Sequence, residues 1–249
     1  CSDDDEKGTE ENKGQWAMIF NETIKSDSNP VDRTEKFMFD GKRLIQHIIK
    51  QRYFEEEISN EVNLSYSDNQ VTVTTDYLTL VYTLNSEGYA SQCVYSLSSQ
   101  NRIYQFSYSA EGYLTGIVEN IDDTEYSSTS LTYENGDITS ISSKMNGLEN
   151  KFIYEPGEES STYHLPCLGL LEIHPLTFHI EALYAGLLGK DPRHFTIHSC
   201  PAGSNDENTV YSYGFDKKGN PSRMICQTTY AGGQASYYPY TRNISISFE

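Results

Sequence analysis

The sequence predicts a mainly β protein: one antiparallel meander curled into a partial barrel, with a single apolar helix at about residues 174–188 filling its concave side. Three observations predict it. A phrase of two aromatics spaced by one residue, followed by a Gly-bearing polar turn, recurs along the chain. Tyrosine is abundant, at 20 residues, whereas Leu, Ile, Val and Phe together number only 53 of 249. One segment, between Gly157 and Gly219, breaks the phrase and concentrates the aliphatics.

The chain opens with Cys1 and a run to Lys13 that holds six acids and two bases and almost nothing apolar. Such a stretch cannot bury enough surface to offset its ordering entropy, so residues 1–14 read as a solvated tether ahead of one β-rich domain, 15–249. A leading Cys before a polar tether resembles a mature bacterial lipoprotein with its signal peptide removed and Cys1 as the lipid attachment site. Ser2 and the acidic run resemble the surface-export signal of Bacteroidetes-type outer-membrane lipoproteins. The resemblance implies a protein lipid-anchored to the outer membrane on its extracellular face. No apolar run approaches the roughly 20 residues of a membrane-spanning helix.

The repeat begins at Phe37-Met38-Phe39-Asp40-Gly41 and returns at Tyr82-Thr83-Leu84 with Gly88. It is clearest at Phe106-Ser107-Tyr108-Ser109-Ala110-Glu111-Gly112. Leu131-Thr132-Tyr133 with Gly136, Phe152-Ile153-Tyr154 with Gly157, and Tyr213-Gly214-Phe215 with Gly219 complete the series. Alternation such as Tyr104, Phe106, Tyr108 around Gln105 and Ser107 gives one apolar and one wet face, the mark of a half-buried strand. Asp, Asn or Glu with Gly then supplies a tight reversal. Successive hairpins make a meander, which twists and curls because its edges are otherwise unpaired.

The aromatic-x-aromatic-Asp-x-x-Gly-x-Leu phrase resembles the tyrosine-aspartate (YD) repeat of bacterial surface proteins. With the Cys1 leader, the chain resembles a family of Bacteroidetes lipoproteins of unknown function with a porin-like fold, over roughly residues 35–249. The resemblance implies an architecture and no activity. It does not imply a pore, because the strands lack an outward lipid-facing apolar band and aromatic girdles.

His174-Pro175 through Gly189 reads as a helix, with Pro175 in the first turn and Gly189 as the stop, inside an insert of about 166–200. Leu176, Ile180, Leu183 and Leu187 form a stripe that Phe178, Ala182, Tyr184 and Leu188 widen almost all round. Such a helix must be enclosed. Five of the six histidines fall in 164–198, which makes His174, His179, His194 and His198 candidate metal ligands. No Cys-x-x-Cys or His-Glu-x-x-His spacing accompanies them, and in a strand His194 and His198 would stand about 13 Å apart. No metal and no cofactor are expected. Of Cys93, Cys167, Cys200 and Cys226, the pair Cys167 with Cys200 would clip the insert's ends in an oxidising compartment, while buried free thiols are the other reading.

A formal charge of −18 from 18 bases and 36 acids excludes a nucleic-acid binder that works by phosphate neutralisation. No Gly-x-Ser-x-Gly elbow and no phosphate loop occur, so no catalytic residues are assigned. The reading is a cell-surface lipoprotein that binds or scaffolds an extracellular glycan or protein. The alternative is a hydrolase or metal-dependent enzyme using the His-rich insert 164–198.

Overall fold

The computed structural model of the chain describes residues 14–24, 31–97, 100–230 and 240–249. The acidic tether up to Lys13, with Cys1, lies outside the described residues. Sixteen strands follow one another: β1 (Gln15–Ile24), β2 (Val31–Asp40), β3 (Arg43–Tyr53), β4 (Glu56–Ser67), β5 (Gln70–Thr74), β6 (Thr79–Leu84), β7 (Ala90–Leu97) and β8 (Gln100–Tyr108). The second half comprises β9 (Leu114–Ile121), β10 (Thr124–Glu134), β11 (Asp137–Met145), β12 (Leu148–Ser160), β13 (His194–Pro201), β14 (Glu207–Phe215), β15 (Pro221–Tyr230) and β16 (Tyr240–Phe248). Each pairs antiparallel with its sequence neighbours, and β16 pairs with β1.

The sheet is therefore a closed barrel and not the partial, curled sheet expected from sequence. Met18 faces Phe248 and Glu22 faces Ile244 across the seam, and Ala17 and Glu249 exchange both backbone hydrogen bonds at 2.9 Å. Closure satisfies the two edges that an open meander would leave unpaired. Strand periodicity reports which face is buried and is silent on whether first and last strands meet.

Along the strands the alternation holds. Met18, Phe20 and Glu22 of β1, Phe37 and Phe39 of β2, and Tyr104 and Phe106 of β8 are buried inward. The intervening residues carry the polar outer wall, with Lys36, Lys50, Arg52, Glu61, Asn63, Lys144, Glu149 and Arg223 among them. Among the described residues the outer face is charged, and charges on a lipid face cost roughly 2–4 kcal/mol each at mid-membrane. Tight reversals use the expected chemistry: Asn135-Gly136 and Asn146-Gly147 take left-handed φ values of 52° with 82° and 53° with 75°.

The chain leaves β12 at one end of the barrel, crosses the rim turns with residues 161–164 and 189–193, and spends residues 165–188 inside it. The expected apolar helix over 174–188 is not formed. In its place stand two short 3₁₀ turns, Leu168–Glu172 and Leu176–Phe178, and one five-residue helix, α1 (Ile180–Tyr184). Pro175 cannot donate, and the amides of Phe178 and His179 turn back three residues to Pro175 and Leu176. The stop is Gly186 (φ 71°), where the Leu187 N–H reaches the Ala182 carbonyl, a left-handed helix end three residues before Gly189. A segment apolar on all sides has no hydrophobic phase to distinguish a helix from a compact coil.

This segment touches the wall all round. The Tyr184 ring lies 4.2 Å from Phe37 and 6.1 Å from Phe20, and Phe178 meets Tyr95 at 6.0 Å. Glu181 bonds His47 of β3, His179 bonds Tyr82 of β6, and the His174 carbonyl accepts from Ser143 of β11. Only a position inside the ring reaches all of these strands. Sixteen strands would otherwise enclose a water-filled channel, and here Leu165, Leu168, Leu176, Ala182, Tyr184, Leu187 and Leu188 join the wall's inward residues in one core.

Candidate functional site

Two places on the molecule collect chemistry: a buried polar layer where the insert meets the wall, and a groove on the outer wall. The layer is built from acids set in the inward phase of apolar strands. Glu22 follows Met18 and Phe20, Glu35 precedes Phe37, and Glu119 follows Ile117.

His47 is fully buried and stacks on Phe37 at 4.2 Å. Its Nδ1 lies 2.8 Å from Glu181 Oε1 and its Nε2 3.1 Å from Glu35 Oε1. Burial pushes the imidazole down, but the hydrogen bonds and charges of Glu181 and Glu35 outweigh it and lift the pKa to about 9. The result is an imidazolium held between two carboxylates, one from the insert and one from the wall. Burial of Glu35 opposes its ionisation, but His47 and Arg33 hold it below the usual carboxylate range.

Glu119 is wholly buried and accepts from Ser127 at 2.9 Å and pairs with His174 Nε2 at 2.6 Å, which together overcome burial and keep it ionised. Across the seam, Arg242 grips Glu22 through two bonds of 2.8 and 2.7 Å. His179 is of another kind. Burial drives it down to about 3, so it is neutral, with Nδ1 2.7 Å from the Tyr82 hydroxyl in a hydrogen bond and the Tyr104 ring edge-on at 4.4 Å.

The four histidines singled out from sequence are thus dispersed among structural partners. His174 goes to Glu119 and His179 to Tyr82. His194, at the start of β13, takes both its backbone N–H and its Nδ1 to Asp137, each at 2.8 Å. His198 sits on the outer side beside Asn208 at 3.1 Å. His164 pairs with Asp191 at 2.7 Å. Among the described residues no group of three or more His, Cys, Asp or Glu side chains is arranged to hold a metal ion. The structure does not bring Cys167 and Cys200 together either. Cys167 is inside against Tyr211, Cys200 alternates with the inward Ser199, and both are free thiols along with Cys93 and Cys226. Burial lifts Cys167 to about 11 and Cys93 and Cys226 to about 12, so these three stay protonated and unreactive.

Sequence reasoning missed His47, Glu35, Glu119 and Glu181. For His47, Glu35 and Glu119 the signal was an acid or imidazole at the inward phase of a strand, legible only once the phase of each strand is fixed; Glu181 lies on α1 of the insert and had no such signal.

The second feature is a shallow groove of about 420 Å³ in the wall across β15, β16, β1 and β2. Antiparallel register aligns Arg223, Ser245, Asn21 and Thr34 in one transverse row, with Asn243, Thr23 and Asp32 beside it. Thr23 donates to Asp32 at 2.9 Å and Thr34 to Asn21 at 3.2 Å. Among the described residues no exposed aromatic lines it; Tyr53, Phe54, Tyr77 and Tyr230 are exposed at the barrel rim instead.

Polar outside, apolar inside and plugged by its own chain, the fold defines a class: a closed sixteen-stranded antiparallel barrel of porin-like build without an open lumen. The chain belongs to the family described as a domain of unknown function (DUF4595) with porin-like fold, whose profile matches residues 37–223. It is similar to a porin-like protein from Bacteroides uniformis, with 27% identity, a TM-score of 0.85, and 94% of this chain and 96% of that chain covered. A porin-like protein from Bacteroides vulgatus shares the fold at 13% identity and a TM-score of 0.55, with 92% and 97% covered. No curated protein matches the chain.

Proposed function

We propose that the protein is a non-catalytic binding barrel displayed on the extracellular face of a bacterial outer membrane, tethered through a lipid on Cys1, and that the wall groove takes a neutral, hydroxyl-rich ligand such as a glycan. The observation that carries this reading is the groove. Its volume of about 420 Å³ falls within the range of about 300–1,000 Å³ usual for small-ligand sites, and it presents amide, hydroxyl, carboxylate and guanidinium groups side by side. Such a set donates to and accepts from sugar hydroxyls without stacking. The interior acids and histidines support a binding rather than a catalytic role, because they are consumed in pairing the insert to the wall. A filled lumen and a charged outer wall speak against conduction and against a lipid-embedded barrel.

The test is a glycan array with the purified protein, followed by titration of any hit against Asn243→Ala and Arg223→Ala. Binding that weakens tenfold or more in either variant, with folding unchanged, supports the groove. Retention of full affinity in both overturns it. Display is tested separately: palmitate incorporation that disappears with Cys1→Ala, and protease accessibility on intact cells, are the expected results.

A further inference from the structure

The β3–β4 hairpin stands clear of its neighbour. β4 begins at Glu56, yet β5 pairs with it only from Asn63 onward. Residues 56–62 therefore have β3 on one side and, among the described residues, no strand on the other. Every residue from Arg52 to Glu61 is exposed.

Register fixes which backbone groups are unpaired. Tyr53 and Glu56 flank the two-residue turn Phe54-Glu55, so they exchange both hydrogen bonds, and alternate pairs repeat this. Glu56, Ile58 and Asn60 thus direct their N–H and C=O to β3, while Glu57, Ser59 and Glu61 direct theirs to the open edge. The other end of β4 gives the same phase. Ser67 and Gln70 flank the next tight turn, so Ser67, Ser65 and Asn63 bond to β5.

An open edge is a template for a further strand. Its charge narrows the occupant. A second copy pairing antiparallel about Ser59 would set Glu57 opposite Glu61 twice, and like charges directly opposite are unfavourable. Lys50 and Arg52 share the outer face, but they lie on β3, a strand further from the edge. The strand that bounds the edge offers Glu56 and Glu57, with Glu61 held, among the described residues, by the neutral side chains of Gln46 and Asn63. An incoming strand meets Glu57 and Glu61 with one set of alternate side chains and the exposed Ile58 with the other.

Phe54 is an independent pointer. It occupies the first turn position with φ 53° and is 77% exposed, where other tight turns carry Asp122, Asn135 and Asn146. A bulky side chain in the left-handed region is costly, and such outliers cluster where something is bound. The ring stands at the end of the open edge, beside Tyr53. The turn lies at the end of the barrel opposite the start of β1, since Gln15 pairs with Asp40 and β3 carries the chain back to the far rim.

We propose that the open edge of β4 at Glu57–Glu61, capped by Phe54, receives by strand addition an extended segment of a partner protein in which basic and apolar residues alternate. Main-chain bonds supply the affinity and the acids the choice of partner. The surface is separate from the wall groove, so either can fail without the other.

The probe is a short peptide alternating Lys with Val, compared with its Glu-for-Lys counterpart by fluorescence anisotropy and by amide hydrogen exchange. The Lys peptide should bind about tenfold or more tightly than the Glu peptide and slow exchange at Glu57, Ser59 and Glu61. Ser59→Pro removes an outward N–H while sparing the bonds to β3, and should weaken binding about tenfold. Glu57→Lys with Glu61→Lys should invert the preference toward the Glu peptide. Equal binding of both peptides, absence of binding, protection elsewhere on the barrel, or full affinity in Ser59→Pro would each overturn the proposal.

Discussion

The His47 imidazolium makes the stability of the barrel depend on pH in a direction that can be worked out. Its pKa is about 9 in the folded protein against an ordinary 6.5. A raised pKa means that the folded state binds the proton more tightly, so the contribution is complete below pH 6.5 and is lost as pH rises through about 9. Integrated between pH 6 and pH 9, the shift amounts to about 3 kcal/mol. Glu181 and Glu35 share the stabilisation, so Glu181→Gln, which keeps the shape and one hydrogen bond, should remove roughly half of that pH dependence, about 1.5 kcal/mol. Urea unfolding at pH 6 and pH 9 on both proteins measures it, and taking the difference between them cancels the titration of other groups. The same slope in wild type and variant, or stability that rises from pH 6 to pH 9, would refute the assignment of a charged His47.

Other substitutions test the packing. Leu176→Ala, in the middle of the lumenal segment and almost wholly buried, should cost about 2–5 kcal/mol in urea unfolding if the insert is core rather than ornament. Arg242→Met leaves the Glu22 carboxylate buried at the seam with its bidentate partner gone, and a loss of about 3 kcal/mol is expected by the same assay. Gly169→Ala would drive a methyl into the Tyr211 hydroxyl, which Ser199 holds at 2.9 Å, and should lower the melting temperature. Phe54→Gly should leave stability unchanged or raise it by roughly 0.5 kcal/mol, because the left-handed turn then costs nothing; a clear loss would show the ring to be part of the fold.

Much of the wall was legible in the chain. Tyr104, Phe106 and Tyr108 announced a strand and its inner face, and Asn135-Gly136 announced the turn from β10 to β11, because both signals are local. Closure was not, since the β1–β16 seam joins residues more than two hundred apart and no local pattern encodes it. The insert was misread as a helix for a related reason: Leu176, Ile180, Leu183 and Leu187 have helical spacing, but what they satisfy is an irregular cavity. The polar layer stayed hidden because Glu181 is 134 residues from His47 and reaches the β2–β3 pair of Glu35 and His47 only when the insert fills the ring. The clustering of histidines at 164–198 was real and its meaning different. It marks where a polar contact is needed on each side of a segment that must lie among acids.

The seam has a consequence for how the chain reaches this state. β1 cannot find its second partner until β16, more than two hundred residues further along the chain, has been made, so the ring closes only after every strand between them is in place. Until then β1 and β16 are bare edges and the lumenal segment has no enclosing wall. Such long-range pairing folds slowly. Removing β16 would leave an open sheet with an exposed core, a form prone to capture by other chains.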